Sequence, residues 1–321
     1  MTCATATALL AGCGSSEEAP PAPEPVVSPP LSERPAGRLV EVGGDPEGVV
    51  ADPGTGLVAV ALRNPDRLVL LDGASGRRVR QVPLPESPRH LQLAPRNRVL
   101  VPAERGDVLV EVPLAGGGEP AITPVGEFPH DASAAAGRIL VANENADTVT
   151  IIERDGATHT LDAPQGPGGV AAVGGSSLIA VVGVRERRIA LFDVAARRQV
   201  GEAAGGVGPT HAVATDGHVY VADTEGDAIL KYTLRPEFGF LDRANVPGAP
   251  YGLALDRRRD QLWVTLTERN ELVLFELTAT APKEVARFPT VRQPNSVAVD
   301  ERSGRVYVTG RGGSELQIVG R

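Results

Sequence analysis

A short pattern of apolar and polar residues returns seven times along the chain. In each repeat a proline precedes a short apolar segment, and two further segments then alternate apolar and polar positions, as half-buried β-strands do. Residues 250–290 show the full pattern, with YGLALD, QLWVTLT, ELVLFEL and KEVARFPT separated by turn-forming residues. The repeat therefore predicts a unit of four antiparallel strands.

The prolines that open these repeats are regularly spaced, at intervals of 42, 41, 38, 42, 41 and 44 residues. This is the period of the blades in a β-propeller. We therefore predict an all-β fold, a seven-bladed β-propeller. Its blades should start near residues 46, 88, 129, 167, 209, 250 and 294.

The two ends of the repeated region complement each other. The last repeat stops after three predicted strands, and an isolated strand, RLVEV, precedes the first repeat at residues 38–42. An N-terminal strand that completes the last blade would close the ring and remove the free sheet edge of an open array. We predict this closure, with the propeller spanning residues 38–321.

Two repeats carry sequences typical of one family of propeller repeats. Residues 139–153 read ILVANENADTVTIIE, and residues 307–309 read Tyr-Val-Thr, followed by Gly310 where the family motif has Asn. The region 38–321 resembles the YVTN family of β-propeller repeats, which is related in style to NHL and lactonase-like propellers. The resemblance implies the fold and no single activity, because propellers host many unrelated functions.

The N-terminus has the features of a secretory signal. Residues 1–13 read MTCATATALLAGC, and the last four of them fit the bacterial lipobox, with small residues before the cleavage site and an apolar stretch upstream. The stretch lacks the Lys or Arg that usually begins a signal, and the alternative is a short apolar N-terminus without a signal function. We predict a lipoprotein signal peptide over residues 1–12. A lipid-modified Cys13 would then anchor an exported protein to the outer face of the cell membrane or in the cell envelope.

A proline-rich stretch follows the lipobox. Residues 14–37 contain seven prolines and no apolar periodicity, so we predict that residues 13–37 are a lipidated cysteine and a tether. Cys3 and Cys13 are the only cysteines. Cleavage and lipidation would leave the propeller without a free thiol, which excludes cysteine catalysis and a cysteine zinc site.

Composition excludes several other functions. The net charge of −8 argues against binding nucleic acid through a broad basic surface. The sequence contains no GxSxG, HExxH, P-loop or CxxC motif. We expect a monomer whose partners are the membrane, through Cys13, and an unidentified protein, peptide or small molecule.

Three of the five histidines lie one or two residues after the repeated prolines: His90, His130 and His211. Each is followed, 14, 14 and 12 residues later, by an acid in the predicted loop between the second and third strands: Glu104, Glu144 and Asp223. In a propeller, the loops that lead from a fourth strand to the next first strand, which carry the prolines, lie on the same face as the loops between second and third strands. The pattern therefore predicts three histidines around one channel mouth, with carboxylates nearby.

Two interpretations of the histidines remain open. Three imidazoles on one axis could hold a divalent metal, with the carboxylates as supporting partners or as additional ligands. Alternatively, histidine is an ordinary polar choice at a channel mouth, where it binds water and backbone groups. The same loops supply candidate ligand-binding residues: Glu47, Asp131, Asn143, Tyr251 and Asn295.

The sequence favours a binding function. An anchored propeller without a catalytic signature would present its channel-mouth loops to a protein, a peptide or a small polar ligand, and would need no cofactor beyond an optional divalent metal. The alternative is a metal-dependent lactonase or lyase acting at the top of the central channel, which rests on the histidine cluster.

Overall fold

Each repeated proline lies at or shortly before the start of a four-stranded antiparallel sheet, and the seven sheets confirm the predicted all-β propeller. The computed structural model describes residues 21–320, so the predicted signal peptide, residues 1–12, and Cys13 lie outside the described residues. Within residues 21–320 the helical structure is one 3-10 turn, Glu104–Gly106, and no helix there is long and apolar enough to cross a membrane.

The strands of the first six blades follow one another in sequence. Blade 1 consists of β2 (Asp45–Asp52), β3 (Leu57–Arg63), β4 (Arg67–Asp72) and β5 (Arg78–Pro83). Blade 2 consists of β6 (Gln92–Ala94), β7 (Arg98–Ala103), β8 (Val108–Pro113) and β9 (Ala121–Pro124). Blade 3 consists of β10 (Pro129–Ala135), β11 (Arg138–Asn143), β12 (Thr148–Ile152) and β13 (Thr158–Asp162). Blade 4 consists of β14 (Pro167–Ala172), β15 (Leu178–Gly183), β16 (Arg188–Asp193) and β17 (Arg198–Ala204). Blade 5 consists of β18 (Pro209–Ala214), β19 (His218–Asp223), β20 (Ala228–Thr233) and β21 (Gly239–Asn245). Blade 6 consists of β22 (Pro250–Asp256), β23 (Gln261–Leu266), β24 (Glu271–Glu276) and β25 (Lys283–Pro289).

The seventh blade joins the two ends of the chain, as predicted. It contains β26 (Pro294–Asp300), β27 (Arg305–Gly310), β28 (Glu315–Val319) and β1 (Arg38–Glu41). β1 pairs antiparallel with β28 over its whole length. Val42, directly after β1, is fully buried in the apolar cluster between blades 7 and 1. The N-terminal strand therefore closes the ring.

The core lies between the blades. The described residues form seven apolar clusters, one between each pair of neighbouring blades, built mainly from the second and third strands. The first strands lie innermost, and the fourth strands, such as β17, are largely exposed. We call the face with the loops from fourth to first strands the upper face, and the opposite one the lower face.

The described part of the proline-rich stretch, residues 21–36, packs on the upper face. Ser28 is 2% exposed; its N–H donates to Gln293 Oε1 at 2.8 Å and its hydroxyl donates to the Thr267 carbonyl. Ala22 packs on the cluster between blades 4 and 5. This N-terminal segment thus runs along the upper face from blade 7 toward blades 4 and 5. Residues 14–20 of the predicted tether lie outside the described residues.

A buried lysine fixes the lower face between blades 5 and 6. Lys231 Nζ donates to the carbonyls of Thr278, Ala279 and Thr280 at 2.7, 3.0 and 2.9 Å. The Lys231→Met variant would leave these acceptors without their charged donor, and we expect its free energy of unfolding to fall by about 2–3 kcal/mol in urea denaturation. Lys283→Met, at an exposed position, is the control. Equal stability of the two variants would contradict this role.

Candidate functional site

A bulge behind the repeated proline positions the candidate residues. Proline has no N–H to donate to the strand ladder, and in six blades the pairing of the first strand with the second shifts register directly after it. In blade 2 the first strand begins only at Gln92, and Pro88 forms an isolated bridge with Ala103. Bulges bend a strand and re-aim its side chains. The residues after the prolines can therefore face the axis.

The structure brings the three candidate histidines together on that axis. The ring centroid of His90 lies 4.3 Å from that of His211 and 5.0 Å from that of His130. One ring nitrogen from each lies within 4.8 Å of the other two. The Nε2 atoms of His90 and His211 are 2.9 Å apart, although the residues are 121 positions apart in sequence. Blades 2, 3 and 5 thus build one cluster.

Two of these imidazoles are kept neutral. Burial lowers the pKa of His90 well below its ordinary value, and the neighbouring His211, His130 and Arg89 lower it further. The pKa of His211 is lowered in the same way, by burial first and then by His130 and Arg89. A contact between two Nε2 atoms requires one to donate a proton and the other to offer a lone pair. Neutral rings satisfy that requirement and have the charge state of metal ligands.

The third histidine is oriented by a carboxylate. His130 Nδ1 lies 2.7 Å from Glu144 Oε2. Burial raises the pKa of Glu144, but the hydrogen bond from His130 and the charges of His130 and Arg89 outweigh it, so the pKa is lowered. An ionised carboxylate only accepts, so Nδ1 carries the proton and Nε2 is left for another partner. Metal-binding histidines commonly have such a carboxylate partner.

The donor set fits a divalent metal. Zn²⁺ held tetrahedrally by histidine at about 2.0–2.1 Å separates its donor nitrogens by about 3.3–3.4 Å. The His90–His211 pair lies at 2.9 Å, shorter than that spacing, and the whole group lies within 4.8 Å, so small movements of the rings would bring the three nitrogens to it. A hydrogen bond with the backbone of Tyr251 helps to hold the His211 ring in place. His90 Nε2, His130 Nε2 and His211 Nε2 would be the ligands.

A layer of ion pairs surrounds the cluster on the upper face. Arg63 Nη2 lies 2.8 Å from Glu104 Oε2, and Arg89 Nε lies 3.3 Å from Glu104 Oε1. Arg89 and Arg311 approach Glu47 at 3.6 and 2.9 Å. We expected Glu104 to support His90. Instead it pairs with Arg63 and with Arg89, the neighbour of that histidine in sequence. Glu47, a candidate ligand residue, is likewise engaged.

Two further candidates hold loops in place. Asp223 accepts hydrogen bonds from the N–H groups of Val207 and Gly208, at 2.6–3.1 Å, and so fixes the loop that precedes Pro209. It therefore supports the backbone leading to His211, where we had expected a side-chain partner of that histidine. Asn143 is fully buried and accepts a hydrogen bond from the Gly126 N–H at 3.2 Å.

The remaining candidates lie beside the histidines. The ring of Tyr251 packs edge-on against His211, with centroids 4.4 Å apart. Asp131 accepts hydrogen bonds from the N–H groups of Ala132 and Val170, which ties blade 3 to blade 4. Burial raises the pKa of Asp131 to about 7, although those hydrogen bonds act in the opposite direction. Asn295 is 2% exposed and borders the axial cavity.

A cavity of about 380 Å³ follows the propeller axis below the cluster. His90, His211 and Asn295 border its upper part, and its wall is formed by the first strands of the blades. Pro53, Arg257 and Glu301, in turns of the lower face, border the other end. We expected the candidate residues at a mouth on the upper face. Of these residues, the structure places His90, Asp131, His211 and Asn295 in the wall of a channel that opens at the lower face, whereas Glu47 and Glu104 belong to the ion-pair layer above it.

The fold and the site together define a seven-bladed β-propeller with an axial histidine cluster. No model of a known protein family matches the sequence, and no curated protein is similar to it. Membership of the YVTN family therefore stays a prediction of the sequence.

Solved structures share the fold. Virginiamycin B lyase from Staphylococcus aureus is 13% identical, with a TM-score of 0.71 over 88% of this chain and 98% of that one. The Kuenenia stuttgartiensis hydrazine synthase structure is 14% identical, with a TM-score of 0.74 over 86% and 96%. A chain of a mitotic checkpoint complex is 11% identical, with a TM-score of 0.76 over 97% and 98%. At these identities the likeness shows the fold alone.

Proposed function

We propose that this chain is a metal-binding propeller, which holds one divalent cation on His90, His130 and His211 and takes a small ligand beside it. The convergence of three histidine nitrogens within 4.8 Å, from three different blades, carries this proposal. The proton on His130 Nδ1, held by Glu144, supports it because it leaves Nε2 free. When bound there, the metal would supply a Lewis acid at the end of the channel.

A small ligand is favoured over a protein partner. The upper loops are occupied by the ion pairs of Glu47 and Glu104 and by the N-terminal segment. The channel, by contrast, has a volume at the lower end of the range found for small-molecule sites, about 300–1,000 Å³. The protein would bind its ligand inside the ring.

A metal-dependent lyase or lactonase is the second candidate. It is favoured by the channel that ends at the histidines, since a catalytic metal site needs an open position next to its protein ligands. The virginiamycin B lyase named above shares the fold, and its identity of 13% transfers no activity to this chain. A screen of lactones and lyase substrates with the metal-loaded protein distinguishes an enzyme from a binding protein.

Cobalt titration tests the proposed centre. We expect Co²⁺ added to the metal-free protein to give visible absorption bands that saturate at one equivalent per chain and disappear when Zn²⁺ is added. His218→Ala, which removes a histidine of β19 away from the axis, should leave these bands unchanged. A wild-type protein that folds normally and gives no cobalt bands would reject the proposal.

We further propose that the protein acts outside the cytoplasm, anchored through lipid on Cys13. The lipobox at residues 10–13 supports this. Replacing Cys13 with Ala should move the protein from the membrane fraction to the soluble fraction of cells. Cys3→Ala is the matched control, since that cysteine would leave with the signal peptide. Identical fractionation of the two variants would exclude the anchor.

A further inference from the structure

The inner wall of the axial channel has an unusual source of polarity. In each of the first six blades the first strand forms one end of the sheet, and it pairs with the second strand on one side only. These strands line the channel. The free side of an edge strand carries a row of backbone N–H and C=O groups. The channel therefore offers hydrogen-bond donors and acceptors at several levels, between small side chains such as Ala134, Ala172 and Ala254.

Part of this backbone is already engaged. The Val49 N–H donates to Ser296 Oγ and the Ala172 N–H donates to Ser133 Oγ, each at 3.2 Å. The Val170 N–H donates to Asp131 Oδ2 at 2.9 Å. These bonds lock blade 7 to blade 1 and blade 3 to blade 4. In blade 6 the Gly252 N–H donates to Thr265 Oγ1 at 2.9 Å, and the Thr224 hydroxyl of blade 5 donates to the Pro250 carbonyl at 2.7 Å. The other N–H and C=O groups on the free sides of the first strands are the ones that a bound molecule can meet.

The two ends of the channel differ in access. At the upper end the histidines lie 7–9% exposed beneath the arginine–glutamate pairs. Burial raises the pKa of Tyr251, and the negative charges of Glu47 and of Glu24, in the N-terminal segment, raise it further. At the lower end Arg257 is 52% exposed and pairs with Glu301 at 3.1 Å. A molecule that enters from the lower face thus passes the Arg257–Glu301 pair first.

We infer that the ligand of the histidine centre is a small polar anion that enters from the lower face and lies along the axial channel. The inference rests on the proposed metal centre, which supplies positive charge for the anionic head group at the inner end. The free strand edges recognise hydrogen-bonding groups along the body of the ligand. A hydroxylated carboxylate has this combination of features.

A reversible block of the channel tests the route of entry. Ala172→Cys, in a chain with Cys3 and Cys13 replaced by serine, places one thiol in the wall and adds only a sulfur atom to the side chain. Reaction with sulfonatoethyl methanethiosulfonate then fills the channel, and a reductant restores it. We expect the label to slow acetohydroxamate binding to the cobalt protein at least about tenfold, measured by stopped-flow absorption. Reduction should restore the rate.

The control carries the same label outside the channel. Ala196→Cys lies in the exposed turn between β16 and β17, where labelling should change nothing. Unchanged binding to labelled Ala172→Cys with normal cobalt bands would overturn the route alone, whereas a wild-type protein without cobalt bands would overturn the proposed function as well. Faster binding in Ser28→Arg, which displaces the N-terminal segment, would indicate entry from the upper face and also overturn the route.

Two carboxylates with the same six-carbon chain test whether the channel prefers a polar ligand. We expect 6-hydroxyhexanoate to bind the cobalt protein at least about threefold more tightly than hexanoate, because its distant hydroxyl can pair with a free strand edge. The hydroxyl lies too far from the carboxylate to chelate the same metal in a small ring. Tighter binding of hexanoate would overturn the polar class and indicate an apolar channel.

Discussion

A chain that begins at residue 45 should lose most of its stability, whereas a chain that begins at residue 36 should keep most of it. The first truncation removes β1 and Val42, which complete blade 7 and the cluster between blades 7 and 1. It also exposes β28 as a free edge, which favours aggregation. We expect urea denaturation to show a loss of at least about 4 kcal/mol for the shorter chain.

A point substitution makes the same test in a full-length chain. Val42→Asp places an unpaired charge at a fully buried position, and we expect it to cost about 3–5 kcal/mol. Val27→Asp is the matched control, because that side chain is 80% exposed. If both truncations unfold at the same denaturant concentration, and both substitutions do too, β1 does not close the ring.

Removing any one of the three axial histidines should weaken zinc binding by at least about 100-fold, since each would be a direct ligand. Competition with a chromophoric chelator measures this for His90→Ala, His130→Ala and His211→Ala. Glu144→Gln keeps the size of the side chain and removes the charge that orients His130. It should weaken zinc binding by about 10- to 100-fold.

The other two histidines of the chain serve as controls. His159 lies on the outer strand β13 and His218 at the start of β19, so alanine at either position should leave zinc affinity unchanged. Equal affinities for the axial and the control variants would show that zinc binds elsewhere. If zinc binding is lost in His130→Ala and unchanged in Glu144→Gln, Glu144 does not orient His130, and the proposed metal centre still stands.

The repeat pattern was sufficient to predict the blades and the meeting of the histidines. A proline near each blade start places the residues that follow it close to one axis, so His90, His130 and His211 were expected around one channel mouth, and the structure brings them within reach of one another. The strand RLVEV and the truncated last repeat predicted closure by the same logic. Both predictions depend on backbone periodicity, which sequence displays directly.

The accessible end of the channel could not be predicted in this way. It depends on where long side chains from different blades point, and Arg63, Arg89 and Arg311 reach Glu47 and Glu104 over the upper end. Arg89 follows Pro88 directly and would have been the residue to notice. The prolines of the N-terminal segment predict a tether, whereas the polar contacts of Ser28 and the packing of Ala22 dock its described part on the propeller.

Elemental analysis of the purified protein, after dialysis without chelator, tests the metal centre most directly. The account predicts close to one divalent transition metal per chain in the wild type. It also predicts loss of that metal in a variant with both His90 and His211 replaced by alanine, with the propeller fold retained in its circular dichroism spectrum. A folded wild-type protein that holds no metal and takes up none from added Zn²⁺ would contradict it.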